Sequence, residues 1–229
     1  MTIHAASAEK MMNAVAEKNG KLTVAHYRRA QPLFRKIRQL VNGKTIGNVR
    51  FARLALYKKP YTQQDLDFEN TAWRVDPKLA GGGLFHDLSP HQLDLMYYFF
   101  GEPEKATGIA NNQGGLYGAD DMVTGSILFK SGVQFSGIWS FNVSGLDEED
   151  QCEIVGDRGK IIFSFFEHRP ITLIVDGKTE MLSFDPIQHV QQPMIEQVVN
   201  YFLDEGPNPD SAGEGVKVMK LIDSFTTRK

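Results

Sequence analysis

The sequence predicts a short α/β segment followed by an α+β domain built on an open, mostly antiparallel sheet with helices on one face. Three patterns carry this. Residues 1–42 read helix, strand, helix, one slice of a βα-repeating parallel sheet. Residues 104–184 switch to two-residue alternation broken by turn signals. Two helical patterns then close the chain.

In chain order, Ser7 can cap a helix carrying Ala8, Met11, Met12 and Val15 on one face, and Asn19-Gly20 ends it. Leu22–Ala25 is a short apolar run, read as a buried strand. A lone strand cannot satisfy its own backbone groups, so either its sheet lies upstream or it docks elsewhere. Pro32 suits the first turn of a second helix with Leu33, Ile37, Leu40 and Val41 inward, closed by Asn42-Gly43. Residues 47–57 read as a strand, and 58–80 as a long loop of the kind that carries function.

Ser89 reads as the N-cap of the next helix, with Pro90 at its first position and Gln92 completing a capping box. Leu93, Leu95, Met96, Phe99 and Phe100 bury that helix, and Gly101 ends it. Lys130-Ser131-Gly132, Gly156-Asp157-Arg158-Gly159 and Asp176-Gly177-Lys178 each separate two alternating runs, giving about five to seven antiparallel strands. A helix from Val190 to about Leu203 turns Met194, Ile195, Val198, Val199 and Phe202 inward. The last helix, Ser211 to about Phe225, opens on a Ser211/Glu214 capping box. Roughly three helices cover one sheet face; strands that are apolar at both parities make the other an interface between copies.

Bulk properties exclude several classes. Of 229 residues, 41% are hydrophobic and 23% charged, an ordinary globular balance. The net charge is −3 and the basic residues are scattered, unlike the basic face of a nucleic-acid binder. No apolar run approaches the ~18 residues that span a bilayer, so no membrane partner is expected. The N-terminus lacks a basic start and an apolar core, so a cytoplasmic location is expected, although an export signal further upstream would be invisible. The single Cys152 cannot form an internal disulfide.

The chemistry concentrates in Trp73–Gly101 (WRVDPKLAGGGLFHDLSPHQLDLMYYFFG). Gly81, Gly82 and Gly83 allow close backbone approach, but no phosphate-binding glycine pattern is present. Asp87 precedes His91 by four residues, so in a helix or turn its carboxylate can reach the ring and orient it, and His91 could titrate near neutrality as a general acid/base. On spacing alone a capping Asp87 and a structural His91 remain the alternative. A metal site at His86, Asp87 and His91 would need further histidines and acids from a helical bundle, and the sequence is half hairpins; no metal is expected. Trp73-Arg74 is either a packed pair or a ring and guanidinium offered to an anion. Tyr27-Arg28-Arg29 follows the strand, where open parallel sheets place ligands, or is a solvated basic loop. Glu148-Glu149-Asp150 reads as a solvated turn, and His168 and His189 as surface or structural groups.

WRVDPKLAGGGLFHDLSPHQLD matches a W-R-x-D-P-x-x-A-G-G-G-x-L-x-D-x-x-x-H-x-x-D pattern, and VAHYRRAQPLFRKIRQLV followed by IGNV looks like a last nucleotide-domain strand and helix. Nearly the whole chain resembles the glucose–fructose oxidoreductase / inositol dehydrogenase (Gfo/Idh/MocA) family of NAD(P)-dependent sugar oxidoreductases. The resemblance implies that residues 1–43 are the last helix-strand-helix of a Rossmann domain. Residues 44–229 would be a substrate-binding and oligomerisation domain of the dihydrodipicolinate-reductase-like kind, with the last helix packing back on that remnant. It implies Asp87 and His91 as catalytic residues, Trp73, Arg74, Tyr27 and Arg28 beside the cofactor, the glycines as a floor beside a sugar or polyol substrate, and a homo-oligomer.

The family's glycine-rich dinucleotide turn and its Glu-Lys-Pro, whose lysine is catalytic, have no counterpart here; Met1 falls just after where the Lys-Pro would stand. NAD or NADP is therefore expected in a longer protein, with no tight cofactor binding and no turnover by these residues alone. A non-catalytic sugar-binding or dimerisation module is the alternative.

Overall fold

The computed structural model describes residues 1–226. Eight strands form one open sheet in the order β2-β3-β4-β1-β5-β6-β7-β8. They are β1 Val49–Tyr57, β2 Pro103–Asn111, β3 Met122–Phe129, β4 Gln134–Ser140, β5 Glu149–Gly156, β6 Gly159–Phe163, β7 Ile171–Val175 and β8 Lys178–Leu182. All neighbours are antiparallel except β1 and β4, which run parallel with Phe51 opposite Gln134. The parallel pair arises because β1 enters between two strands that are far from it in sequence. The predicted hairpins are all present, and Asp176 and Gly177 both take positive φ, the pair that a two-residue turn matched to strand twist requires.

The helices are α1 Ala5–Glu17, α2 Pro32–Asn42, α3 Gln63–Asp67, α4 Glu69–Ala72, α5 Pro77–Ala80, α6 Leu84–Phe100, α7 Gln192–Phe202 and α8 Ala212–Thr226. None of those described is long and apolar enough to cross a membrane. Helix α8 lies on the sheet through a cross-strand row of glycines. Gly108 pairs with Gly125, and Gly125 with Gly137. A Cβ at Gly108 or Gly125 would overlap Phe225, and one at Gly137 would overlap Trp139. The row is a slot for two buried aromatic rings, which pack against each other at 6.0 Å.

Several expectations are corrected. Leu22–Ala25 is not a sheet strand: Thr23 forms an isolated bridge with Ser211, and the Val24 amide donates to the Asp210 carbonyl at 2.9 Å. It satisfies its backbone against the entry to α8 instead. Helix α1 starts at Ala5 with His4 at its N-cap position, ahead of Ser7, and Met11 is exposed. The stretch 58–80 is three short helices and the 3-10 turn Trp73–Val75. Thr62 and Asp65 cap the first reciprocally, and Asp76 caps α5.

Helix α6 begins five residues before the Ser-Pro signal. Gly83 at φ +70 is its N-cap residue, and Pro90 sits inside it. Ser89 is fully buried in the helix, and Gln92 accepts from the Trp139 indole at 2.7 Å instead of capping. Helix α7 buries only Met194; Ile195, Val199 and Phe202 are exposed. Asp150 is no solvated residue: it is buried and accepts the amides of Phe165, Phe166 and Glu167 at 3.1, 2.6 and 3.1 Å.

The helices leave the other sheet face open. Phe51, Ile109 and Ile138 are exposed on it among Thr107, Ser126 and Ser136. Buried Glu153 is held there by Arg53 at 2.5 Å and Lys160 at 2.6 Å.

Candidate active site

The site forms where α6, the 3-10 turn Tyr27–Ala30 and the start of α8 converge. A turn of helix separates Asp87 from His91, so both lie on one side of α6. Both line a cavity of about 390 Å³ together with Met1, Val24, His26, His86 and Pro90. Pro90 has no amide to give the His86 carbonyl, which loosens the helix beside this cavity.

The glycine triplet is set by packing. Gly81 and Gly83 take φ +80 and +70, a Cβ on Gly82 would overlap the His86 ring, and one on Gly83 the Ala119 methyl. No wall of the cavity is formed by these glycines; the His86 ring stands between.

Asp87 does not orient His91. Its Oδ2 pairs with Arg74 Nε at 3.3 Å, and the Arg74 guanidinium lies 5.3 Å from the Trp73 ring. Trp73, Arg74 and Asp87 are thus one contiguous group. Tyr27 belongs to the other: its ring meets that of His91 edge-on at 5.0 Å, and its neighbour Arg28 lies 5.2 Å over it. The six predicted residues therefore meet as two groups, joined by the helical turn between Asp87 and His91.

Sequence reasoning missed the charges behind His91. His26 Nδ1 lies 2.7 Å from Asp210 Oδ2 and 3.4 Å from Asp94 Oδ1. Arg29 forks onto both oxygens of Asp94, with Nε at 3.1 Å, and reaches Glu214 at 3.1 Å. His26, Arg29, Asp94 and Asp210 are all buried. A partial signal was present: Asp94 stands three residues after His91 in a run too apolar for unpaired charge, whereas nothing in His26-Tyr27-Arg28-Arg29 marks its partners. Three of these groups are close enough to hold an ion, but Arg29 and His26 already neutralise the two carboxylates.

Burial alone would lower the pKa of His26; Asp94 and Asp210 instead raise it to about 9. Burial and the charges of His26 and Arg28 push His91 down to about 3, against the expectation of a group titrating near neutrality. Its buried Nδ1 has no hydrogen-bond partner. His91 is thus a neutral imidazole at physiological pH, with a fixed imidazolium behind it. Asp94 is held ionised: burial opposes this, and His26 and Arg29 outweigh it.

A second cavity, about 530 Å³, opens on the far side of Tyr27. Arg28, Phe165, Phe166, His168 and Asp185 line it. The Asp150 carboxylate holds the amides of its 165–167 wall.

With this geometry in view, residues 34–162 match the family model described as GFO/IDH/MocA C-terminal domain. Oxidoreductase P35 of Formosa agariphila is 41% identical over 225 residues, covering 98% of this chain and 68% of that protein. Solved structures share the fold, two of them as follows. Aldose-aldose oxidoreductase from Caulobacter crescentus, complexed with glycerol, has TM-score 0.83 at 19% identity, over 98% of this chain and 66% of that one. Levoglucosan dehydrogenase, in complex with NADH and levoglucosan, has TM-score 0.84 at 18% identity, over 98% and 68%. The chain spans about two thirds of the length of each of these proteins. It belongs to the Gfo/Idh/MocA family of oxidoreductases.

The raised pKa of His26 makes a stability prediction. Its folded value of about 9 exceeds the unfolded 6.5, so its contribution is complete below pH 6.5 and lost as pH rises through 9. Wild type should lose roughly 3 kcal/mol more than His26→Gln between those limits by urea unfolding. Parallel stability curves for the two proteins would contradict the assignment.

Proposed function

We propose, from membership of this family, that the chain is the substrate-binding and oligomerisation part of an NAD(P)-dependent oxidoreductase acting on a sugar or polyol CH–OH group. Residues 1–43 are read as the end of the nucleotide-binding domain and 44–229 as the substrate domain, in a cytoplasmic protein. The family match begins at residue 34, and α1 packs on α8, where the Ala5 amide donates to Asp223 at 2.8 Å. The observation that carries the function is a cavity lined by both Asp87 and His91, with Met1 at its wall.

The nicotinamide cofactor supplies the hydride acceptor. His91, neutral with a lone pair, is the group placed to accept the proton that leaves the substrate hydroxyl, a weak base while the His26 and Arg28 charges beside it stand uncompensated, and Tyr27 packs on its ring. A proton on His91 would be poorly stabilised beside the His26 and Arg28 charges, so it is readily returned in the reverse direction. Asp87, held by Arg74, presents a carboxylate to the same cavity, one helical turn from His91. Tyr27, Arg28, Trp73 and Arg74 would border the cofactor; the sequence has no Gly-x-Gly-x-x-Gly turn to hold its pyrophosphate, so these residues form a rim and not a complete site. A second copy of the chain covers the open sheet face, where Phe51, Ile109 and Ile138 are exposed.

Two results are expected. The 229-residue chain alone gives no NAD(P)-dependent turnover of sugars. Extended by an in-frame upstream sequence ending in Glu-Lys-Pro it does, and His91→Gln or Asp87→Asn then lowers kcat by about 10²–10⁴-fold. Turnover by the chain alone, or unchanged kcat in those variants, would contradict the proposal. Light scattering at micromolar concentration should give the mass of two chains, and a monomeric mass would remove the open-face pairing.

A further inference from the structure

Arg28 is a cation without an acid. Its guanidinium is wedged between the rings of Phe166, at 4.4 Å, and Tyr27, at 5.2 Å. One Nη donates to the Phe165 carbonyl, and its buried Nε has no partner. Every other arginine buried or half-buried in the neighbourhood has a carboxylate: Arg29 has Asp94 and Glu214, and Arg74 has Asp87. The carboxylate that acts on Arg28 from nearby is Asp150, but its oxygens already accept three backbone amides. Half-burying a guanidinium against a backbone carbonyl and the Tyr27 side chain, with no carboxylate paired to it, is costly, and a ligand carboxylate would complete its coordination.

The cavity beside it suits a sugar acid. Arg28, Tyr27, Phe165 and Phe166 line its inner part, and His168 and Asp185 stand exposed at its rim. Aromatic walls take the apolar face of a pyranose, and a planar fork takes a planar carboxylate. A dianionic phosphate would need more positive charge than one arginine, against Asp185 and the Arg169-paired Glu167 on the same wall. Tyr27 joins this cavity to His91. Burial leaves Arg28 less stable as a cation than an ordinary arginine, and Tyr27 and the nearby Asp150 charge only partly offset it.

We infer that Arg28 binds the carboxylate of the substrate, and that the sugar handled beside His91 is a uronic or aldonic acid. This rests on the sugar-oxidoreductase reading and names its substrate class. The Asp150-held loop 165–167 then supplies specificity, by fixing the carbonyl and the ring that hold the guanidinium.

The test uses the full 229-residue chain and three probes at matched ionic strength: D-glucuronate, D-glucose and D-glucose 6-phosphate. Binding is followed by NMR on the arginine Nε–H and ring resonances. Glucuronate should bind at least tenfold more tightly than either other sugar and shift the Arg28 Nε–H. Arg28→Gln should abolish the preference for glucuronate over glucose, and Arg28→Lys, which keeps the charge and guards against misfolding, should retain part of it.

Equal binding of glucose and glucuronate overturns the inference and leaves the sugar reading standing. Preference for the phosphate, or a glucuronate preference that survives in Arg28→Gln, overturns it as well. Binding of none of the three overturns it and counts against the sugar reading too.

Discussion

The structure depends on one buried electrostatic constraint: two carboxylates, Asp94 and Asp210, neutralised by Arg29 and His26. Each comes from a different place in the fold. Asp94 is on α6, Asp210 precedes α8, and of the two cations Arg29 lies in the 3-10 turn Tyr27–Ala30 and His26 immediately before it. Breaking one partner of such a cluster leaves a buried charge, at a cost of about 3–5 kcal/mol, so the three segments cannot separate cheaply. The same cluster docks Leu22–Ala25, whose backbone bonds to Asp210 and Ser211 in place of a sheet neighbour. It also places a permanent positive charge behind His91.

How much of this was legible follows from how local each cause is. The hairpins and the Ser211/Glu214 capping box were readable because their residues lie within four positions of one another; the box is present with bonds of 2.9 and 3.3 Å. The start of α6 was misread because Ser89-Pro90 imitates a helix start locally. The real start is decided by Gly83 pressed against Ala119, a contact across 36 residues that no spacing reveals. Asp87 was rightly placed one helical turn from His91, but the competing partner, Arg74, comes from a separate turn. The periodicity of α7 is genuine, yet its apolar stripe faces solvent. Periodicity shows that a face exists, not that anything covers it.

Function divides in the same way. The pattern around Asp87 and His91 named the family, because it packs several uncommon residues at fixed offsets. The electrostatics could not be read there. No local pattern marks His26, and only folding brings Asp94 and Asp210 to it. A His91 expected to titrate near neutrality is instead held neutral by burial, by His26 and by Arg28. His91 is therefore a neutral imidazole flanked by the carboxylate-paired His26 and by Arg28, which has no ion-pair partner among the described residues.

Side-chain NMR of the imidazole nitrogens in the ¹⁵N-labelled chain tests this most directly, with His26→Gln and His91→Gln used to assign the two rings. The account predicts a doubly protonated His26 at pH 7.5 and a His91 that stays singly protonated on titration down to pH 5, as expected for values of about 9 and about 3. A His91 that titrates near 6.5, or a His26 that is neutral at pH 7.5, would contradict it.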